Sequence, residues 1–207
     1  MNRTIKLLML SDIFALTGFG LIEPILAIFI KENLVGGTIF AAGVASTLFL
    51  VTKSIVQLPF SRYVDNHDHN AWWILAGMAI TSSVPFIYIV STTIDTIYIA
   101  QIILGIGAGL TYPTWLGLWS THLDRDHESY EWSLYSTLTG LGTAVSAAVG
   151  GAIAQFAGFT ATFTIVGLMS LTGMGILLFL DKRHKRLTPI FPVAHHKRRK
   201  LGYQMKT

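Results

Sequence analysis

Six long apolar segments limit what this chain can fold into more than any other feature of its sequence. Because the hydrocarbon core of a bilayer is about 30 Å thick and a helix rises about 1.5 Å per residue, about 20 apolar residues are needed to cross it. The segments reach that length and lack the polar–apolar alternation of membrane β-barrel strands. The sequence therefore predicts an all-α integral membrane protein with six transmembrane helices, over residues 7–30, 38–60, 71–91, 97–120, 133–156 and 160–180.

Composition agrees with a chain that lies mostly in lipid. Charged residues make up 13% of the sequence, about half of the share found in soluble domains. The sequence contains no cysteine, which excludes disulfides and Cys-ligated metals. The first apolar segment is too long for a signal-peptide core, and no small-residue cleavage site follows it. We therefore interpret it as a retained first helix.

Basic residues are concentrated on one side of the predicted membrane protein. They lie near the N-terminus, in the second and fourth connections and, above all, in a tail over residues 181–207. By the positive-inside rule this side faces the cytoplasm, so both termini are predicted to be cytoplasmic in a multi-pass protein of the cell membrane. We interpret the tail as a topology signal that contacts anionic lipid headgroups, in preference to a nucleic-acid-binding arm.

Two ionisable residues within the predicted spans lie at a similar depth from the same side. A charge near the centre of a membrane helix costs at least about 2.5–3.5 kcal/mol, so such residues are candidates for a functional site. If the first two helices are antiparallel neighbours, Asp12 and Lys53 form an ion pair. The alternatives are that such a pair only fixes packing, or that Lys53 extends to the headgroups.

A third ionisable residue, Glu23, lies closer to the other side of the membrane. It precedes Pro24, which disrupts the helix there. A carboxyl group in a poorly solvated site can hold and exchange a proton, as a proton-coupled transporter requires; the alternative is a hydrogen-bonded structural residue. Gln101 lies at a comparable depth. Tyr112 and Trp115 belong to an interfacial aromatic belt or line a cavity.

The fifth span carries a small residue at every fourth position. Gly142, Ser146 and Gly150 begin this row, which lies along one helix face. Such a face lets another helix approach closely, so the row predicts helix packing.

Sequence patterns typical of enzymes are missing. The sequence has no HExxH motif, no nucleophile elbow and no P-loop. The connection from His122 to Glu128 contains groups that can bind metals, but we interpret it as a solvated loop. We therefore predict no enzyme activity, no catalytic residues, no cofactor and no metal site.

The order of these features resembles the N-terminal half of a major facilitator superfamily transporter. The segment from Gly18 through Glu23 and Pro24 is similar to the family's first helix. The segment from Ser61 to His69, which contains Arg62 and Asp65, lies where the family carries its Gly-x-x-x-Asp-Arg-x-Gly-Arg loop motif, and of that motif it keeps Asp65.

Two further patterns lie in the fourth and fifth spans. Gln101 stands where the family has an Arg, ahead of a Gly-x-Gly-Ala sequence. The segment from Gly142 to Gly151 resembles the family's antiporter signature Gly-x-x-x-Gly-Pro-x-x-Gly-Gly, with Ser146-Ala147 in place of Gly-Pro.

The resemblance implies a function as well as a fold. Transporters of this family hold a small solute between two six-helix halves, and residues 1–180 correspond to one of them. Residues 181–207 then correspond to a basic cytoplasmic tail or to a truncated form of the family's central linker. The resemblance thus implies secondary transport of a small solute, such as drug or metabolite efflux, with proton coupling as an option. A homodimer or a second half-transporter would complete the site, and Glu23 and Gln101 would lie close together in the cavity. The alternative is a non-transporting membrane remnant or an assembly partner.

Overall fold

The structure, a computed structural model, describes residues 1–66 and 71–180, and this part of the chain is helical. The predicted basic tail lies outside the described residues. Within them the helices are α1 (Arg3–Ile22), α2 (Leu26–Asn33), α3 (Ile39–Asn66), α4 (Trp72–Val90), α5 (Ile94–His122) and α6 (Glu128–Leu177).

The last helix, α6, contributes two membrane crossings. Its 50 residues correspond to about 75 Å of helix, more than twice the hydrocarbon thickness. At Gly158 the backbone adopts φ 84° and ψ 167°, a conformation that is essentially restricted to glycine. The chain turns there between two arms, residues 128–157 and 159–177. Five of the described helices, α1, α3, α4, α5 and α6, are long and apolar enough to cross a membrane, and the two arms of α6 bring the number of crossings to six.

The first crossing, predicted over residues 7–30, is interrupted, in agreement with the predicted disruption of its helix at Pro24. Helix α1 ends at Ile22, and α2 begins at Leu26. The interruption lies at Pro24, which has no N–H to donate and whose ring clashes with the preceding turn.

Helix α3 is longer than its predicted span. It continues to Asn66, so the prediction of a connecting loop from Ser61 was wrong for residues 61–66. Polar side chains there bond back to the helix, as the Ser61 hydroxyl donates to the Leu58 carbonyl and the Asn66 amide donates to the Arg62 carbonyl. These bonds satisfy carbonyls near the helix end, so the polar composition did not terminate it.

The connections between helices gather at two ends of the bundle. At the amino-terminal end, the Met1 amine forms an ion pair with Asp124 and lies 3.6 Å from Glu131. The hydrogen bond from this amine lowers the pKa of the Asp124 carboxyl. At the opposite end, backbone hydrogen bonds join Val35 to Thr92 and Ile94. The turns before α3 and before α5 therefore lie side by side.

Helices that pack together are not always neighbours in sequence. Helix α1 packs mainly against α6, whereas α3 and α4 both pack against α5. Glycines on α5 permit the close approach: a Cβ at Gly105 would lie 2.8 Å from the Phe49 carbonyl oxygen on α3, and one at Gly107 would lie 2.8 Å from the Gly77 carbonyl oxygen on α4. The helix order in space decides which polar residues can meet.

Candidate functional site

Asp12 is held by a residue that the sequence did not single out. The Tyr135 hydroxyl of α6 donates a hydrogen bond to the Asp12 carboxylate of α1. Asp12 lies about 14 Å from the start of α1, and Tyr135 lies about 10 Å from the start of α6. The predicted ion pair between Asp12 and Lys53 does not form, and the ion pairs of the described residues include neither side chain. The reason is packing: α1 lies against α6, and α3 against α5.

Lys53 contacts an aromatic ring in place of a carboxylate. Its ammonium nitrogen lies 5.0 Å from the centre of the Tyr112 ring, within the range of a cation–π interaction. Tyr112 is 44% exposed, so it borders open space next to Lys53. Tyr112 also lies three residues before Trp115 and so on the same face of α5, and the Trp115 ring lies 5.1 Å from the Tyr135 ring.

These contacts connect four helices into what we call the polar row. It runs from Asp12 on α1 through Tyr135 on α6 and Tyr112 on α5 to Lys53 on α3, and Trp115 of α5 joins the two tyrosines. Lys53 lies about 20 Å along its helix from the end at Asn66, so the row reaches the middle of the bundle. A carboxylate and an ammonium thus stand at its two ends, each beside a tyrosine.

Four aromatic rings, which we call the aromatic cluster, adjoin the Asp12 end of the polar row. Trp115 and Trp119 of α5 stack with ring centres 5.0 Å apart, and Tyr135 lies 5.1 Å from the first and 5.0 Å from the second. Trp132 completes the cluster 5.4 Å from Trp119. The indole N–H groups of Trp115 and Trp119 are buried and have no hydrogen-bond partner within the described part of the chain.

Sequence reasoning recognised only part of this site. It named Asp12, Lys53, Tyr112 and Trp115, but it did not single out Tyr135. The available signal was the spacing of Trp115 from Trp119 by four residues and of Trp132 from Tyr135 by three. Residues three or four apart share one helix face, so both spacings predict an aromatic face.

Glu23 and Gln101 occupy different environments. Glu23 lies at the break between α1 and α2 and is exposed, whereas Gln101 is only 3% exposed inside the bundle. Their side chains form no hydrogen bond to each other in the described structure. Glu23 therefore faces the outside of this six-helix unit, at the end opposite the polar row's Asp12.

The loop-motif candidates lie on a helix. Arg62 and Asp65 occupy the last two turns of α3, and both side chains are exposed. They are separated from Lys53 by about 2.5 and about 3.3 helical turns along the same helix.

The small-residue row of the fifth span packs inside the chain. A Cβ at Gly142 would lie 2.7 Å from the Thr17 hydroxyl oxygen, and one at Gly150 would lie 2.2 Å from the Leu21 carbonyl oxygen. The Ser146 Cβ lies 3.3 Å from the Cβ position of Gly20. Three members of the row thus face α1, which occupies the surface they form. Gly151 has no atom within 4 Å of its Cβ position, so it faces open space.

Comparison with known proteins identifies a family. The family model described as Major Facilitator Superfamily matches residues 8–201. The proton-coupled antiporter flippase LtaA of Staphylococcus saprophyticus is 24% identical over 105 residues, which cover 50% of this chain and 26% of the relative. An uncharacterized MFS-type transporter of Mycobacterium tuberculosis is 30% identical over 138 residues, 63% of this chain and 32% of the relative.

A solved structure shares the fold. An auto-inhibited POT family peptide transporter superposes with a TM-score of 0.74 at 15% identity, over 92% of this chain and 39% of the transporter. The prediction of an all-α membrane bundle that resembles half of a major facilitator fold is therefore confirmed. The matched regions span about a quarter to two fifths of these proteins.

Proposed function

Because the chain belongs to the major facilitator superfamily, we propose that this membrane transporter is half of a secondary active transporter that moves a small solute across the cell membrane. The observation that carries the proposal is the polar row, which places Asp12 and Lys53 within the bundle without a counter-ion for either in the described chain. Ionisable groups at membrane depth are costly, and they mark substrate or ion pathways.

We propose that Asp12 is the group that couples transport to protons. Its carboxylate has the Tyr135 hydroxyl as its hydrogen-bond donor and no basic partner. A carboxyl group in that setting can alternate between a protonated and an ionised form as one helix moves relative to another. Since Tyr135 lies on α6 and Asp12 on α1, movement between these helices would change the stability of the ionised form.

Glu23 is the second candidate for coupling. Glu23 is exposed at the α1–α2 break, so its side chain can contact a solute or a second half-transporter that packs against this bundle. The helix interruption beside it also leaves backbone groups that can interact with a solute. For the direction of transport we propose proton antiport, that is efflux, because the relative LtaA carries the name of a proton-coupled antiporter.

The proposed transport is tested by solute flux in proteoliposomes. Vesicles containing the full chain are loaded with the small-molecule fraction of a cell extract, and solutes on both sides are identified by mass spectrometry with and without a pH gradient. We expect the gradient to redistribute at least one solute. A protein whose vesicles match protein-free vesicles for every solute would support the alternative of a non-transporting remnant or assembly partner.

We also propose that a second copy or a second half-transporter completes the solute site. Apolar side chains are exposed along α3 and along the first arm of α6, two helices that pack on different partners within the bundle. These side chains include Leu50, Ile55 and Leu58 on α3 and Leu141 and Val145 on α6.

The absence of cysteine from the sequence allows a direct test of assembly. We expect Ile55→Cys or Val145→Cys to form cross-linked pairs in native membranes, because both side chains are more than 60% exposed. Val84→Cys, at a fully buried position, is the matched control. A chain that remains monomeric with every exposed cysteine while transport continues would contradict the assembly proposal.

For orientation we propose that both termini are cytoplasmic. The N-terminus and the turn before α6 lie at the same end of the bundle, so both are on the same side of the membrane. A reporter fused after Thr93, in the turn at the opposite end, should be active on the outer side of the membrane. Activity of that fusion in the cytoplasm would reverse the proposed orientation.

A further inference from the structure

Neither charge of the polar row forms an ion pair, with the other charge or with any other ionic group of the described residues. Asp12 accepts from the Tyr135 hydroxyl, and Lys53 lies over the Tyr112 ring. Each contact stabilises a charge less than an opposite charge would, because desolvation inside a membrane protein is costly. The site therefore presents one unneutralised negative group and one unneutralised positive group, on different helices.

The carboxylate of Asp12 and the ammonium of Lys53 lie at opposite ends of the polar row. Tyr135 on α6 lies beside Asp12 and Tyr112 on α5 lies beside Lys53, and Tyr112 is 44% exposed. A ligand that lies along the tyrosines would therefore meet a carboxylate at one end and an ammonium at the other. A ligand with a single charge would satisfy only one of the two groups.

The Asp12 end has further features suited to a positive group. Tyr135, its hydrogen-bond donor, belongs to the aromatic cluster, which includes Trp115 and Trp132. Aromatic faces attract an ammonium or guanidinium group, so a cation beside Asp12 would gain both an ionic and a cation–π contribution. An anion is favoured at the other end because Lys53 supplies three donors and a full charge.

From this geometry we propose that the polar row binds a zwitterionic small molecule, with its cationic nitrogen at Asp12 and its carboxylate or phosphate at Lys53. The inference deepens the proposed function, since it names a substrate class for the same site. Binding of the zwitterion can be measured on the full chain at equilibrium, so its test does not depend on whether the protein transports a solute. Binding with no transport would leave this proposal standing and contradict the proposed function.

The experiment is a calorimetric titration of the purified full-length chain with matched probes. The probes are 5-aminopentanoate and 8-aminooctanoate, which carry both charges, and pentylamine and pentanoate, which carry one each. We expect the better of the two zwitterions to bind at least about tenfold more tightly than either singly charged probe, the usual effect of one additional charge-assisted hydrogen bond.

Two variants give opposite patterns if the assignment is correct. Asp12→Asn should remove the advantage of the zwitterion over pentanoate and leave pentanoate binding unchanged. Lys53→Gln should remove its advantage over pentylamine and leave pentylamine binding unchanged. Lys31→Gln and Glu32→Gln, at exposed positions at the opposite end of the bundle, are the matched controls and should retain wild-type affinities.

Tyr135→Phe keeps both charges if a charge-removing variant fails to fold. It takes a donor from Asp12, so pentylamine should bind at least as tightly as to the wild type. The proposal is overturned if neither zwitterion binds more tightly than the singly charged probes. It is also overturned if the Asp12 and Lys53 variants weaken all four probes equally.

Discussion

Gly150→Leu is expected to separate α1 from α6 and to lower the free energy of unfolding by about 3 kcal/mol or more, at the upper end of the range for overpacked cores. A Cβ at this position would lie 2.2 Å from the Leu21 carbonyl oxygen and 2.7 Å from the Leu21 Cα. Both atoms belong to backbone, so they cannot turn aside as a side chain does. The helices must move apart along the most extensive contact of the bundle.

The next residue provides the control for this prediction. Gly151 has no atom within 4 Å of its Cβ position, so Gly151→Leu should change thermal stability little. The measurement is the thermal unfolding of both purified variants, followed by tryptophan fluorescence, with Gly150→Ala as a milder variant if Gly150→Leu does not accumulate. Equal midpoints for the variants at 150 and 151 would mean that α1 does not pack at Gly150.

Asp12→Asn is expected to abolish gradient-driven solute accumulation while the protein remains folded. Asn keeps the shape of Asp and an oxygen that can accept the Tyr135 hydrogen bond, so the α1–α6 contact is retained. It cannot release a proton, so the coupling between solute and gradient is lost. We expect the Asp12→Asn protein to catalyse solute exchange that no longer responds to an imposed pH difference.

The number and type of helices could be predicted from sequence because they depend on local properties. A run of about 20 apolar residues has few alternatives in a membrane, and Pro24 disfavours a continuous helix locally because it has no N–H to donate. Helix ends were less predictable: Ser61–Asn66 is polar, yet nothing in it prevents the helical conformation, and α3 continues through it.

The candidate site could be predicted only in part because it depends on which helices are neighbours. The Asp12–Lys53 pair assumed that consecutive helices lie together, whereas α1 packs mainly on α6 and α3 mainly on α5. The sequence therefore predicted the depth of each ionisable residue along its helix, but it did not predict which residues contact each other. The spacing of Tyr135 from Trp132 predicted an aromatic face but no partner for it, because aromatic residues near the start of a membrane helix are also typical of the interfacial belt.

The central claim, that a proton-coupled site lies within this bundle at Asp12, is tested most directly by flux in proteoliposomes that contain wild type, Asp12→Asn or Glu23→Gln. We predict that wild type and Glu23→Gln redistribute solute in response to a pH gradient, whereas Asp12→Asn matches vesicles without a gradient. Loss of the response in Glu23→Gln, with a normal response in Asp12→Asn, would contradict the claim and place coupling at the α1–α2 break.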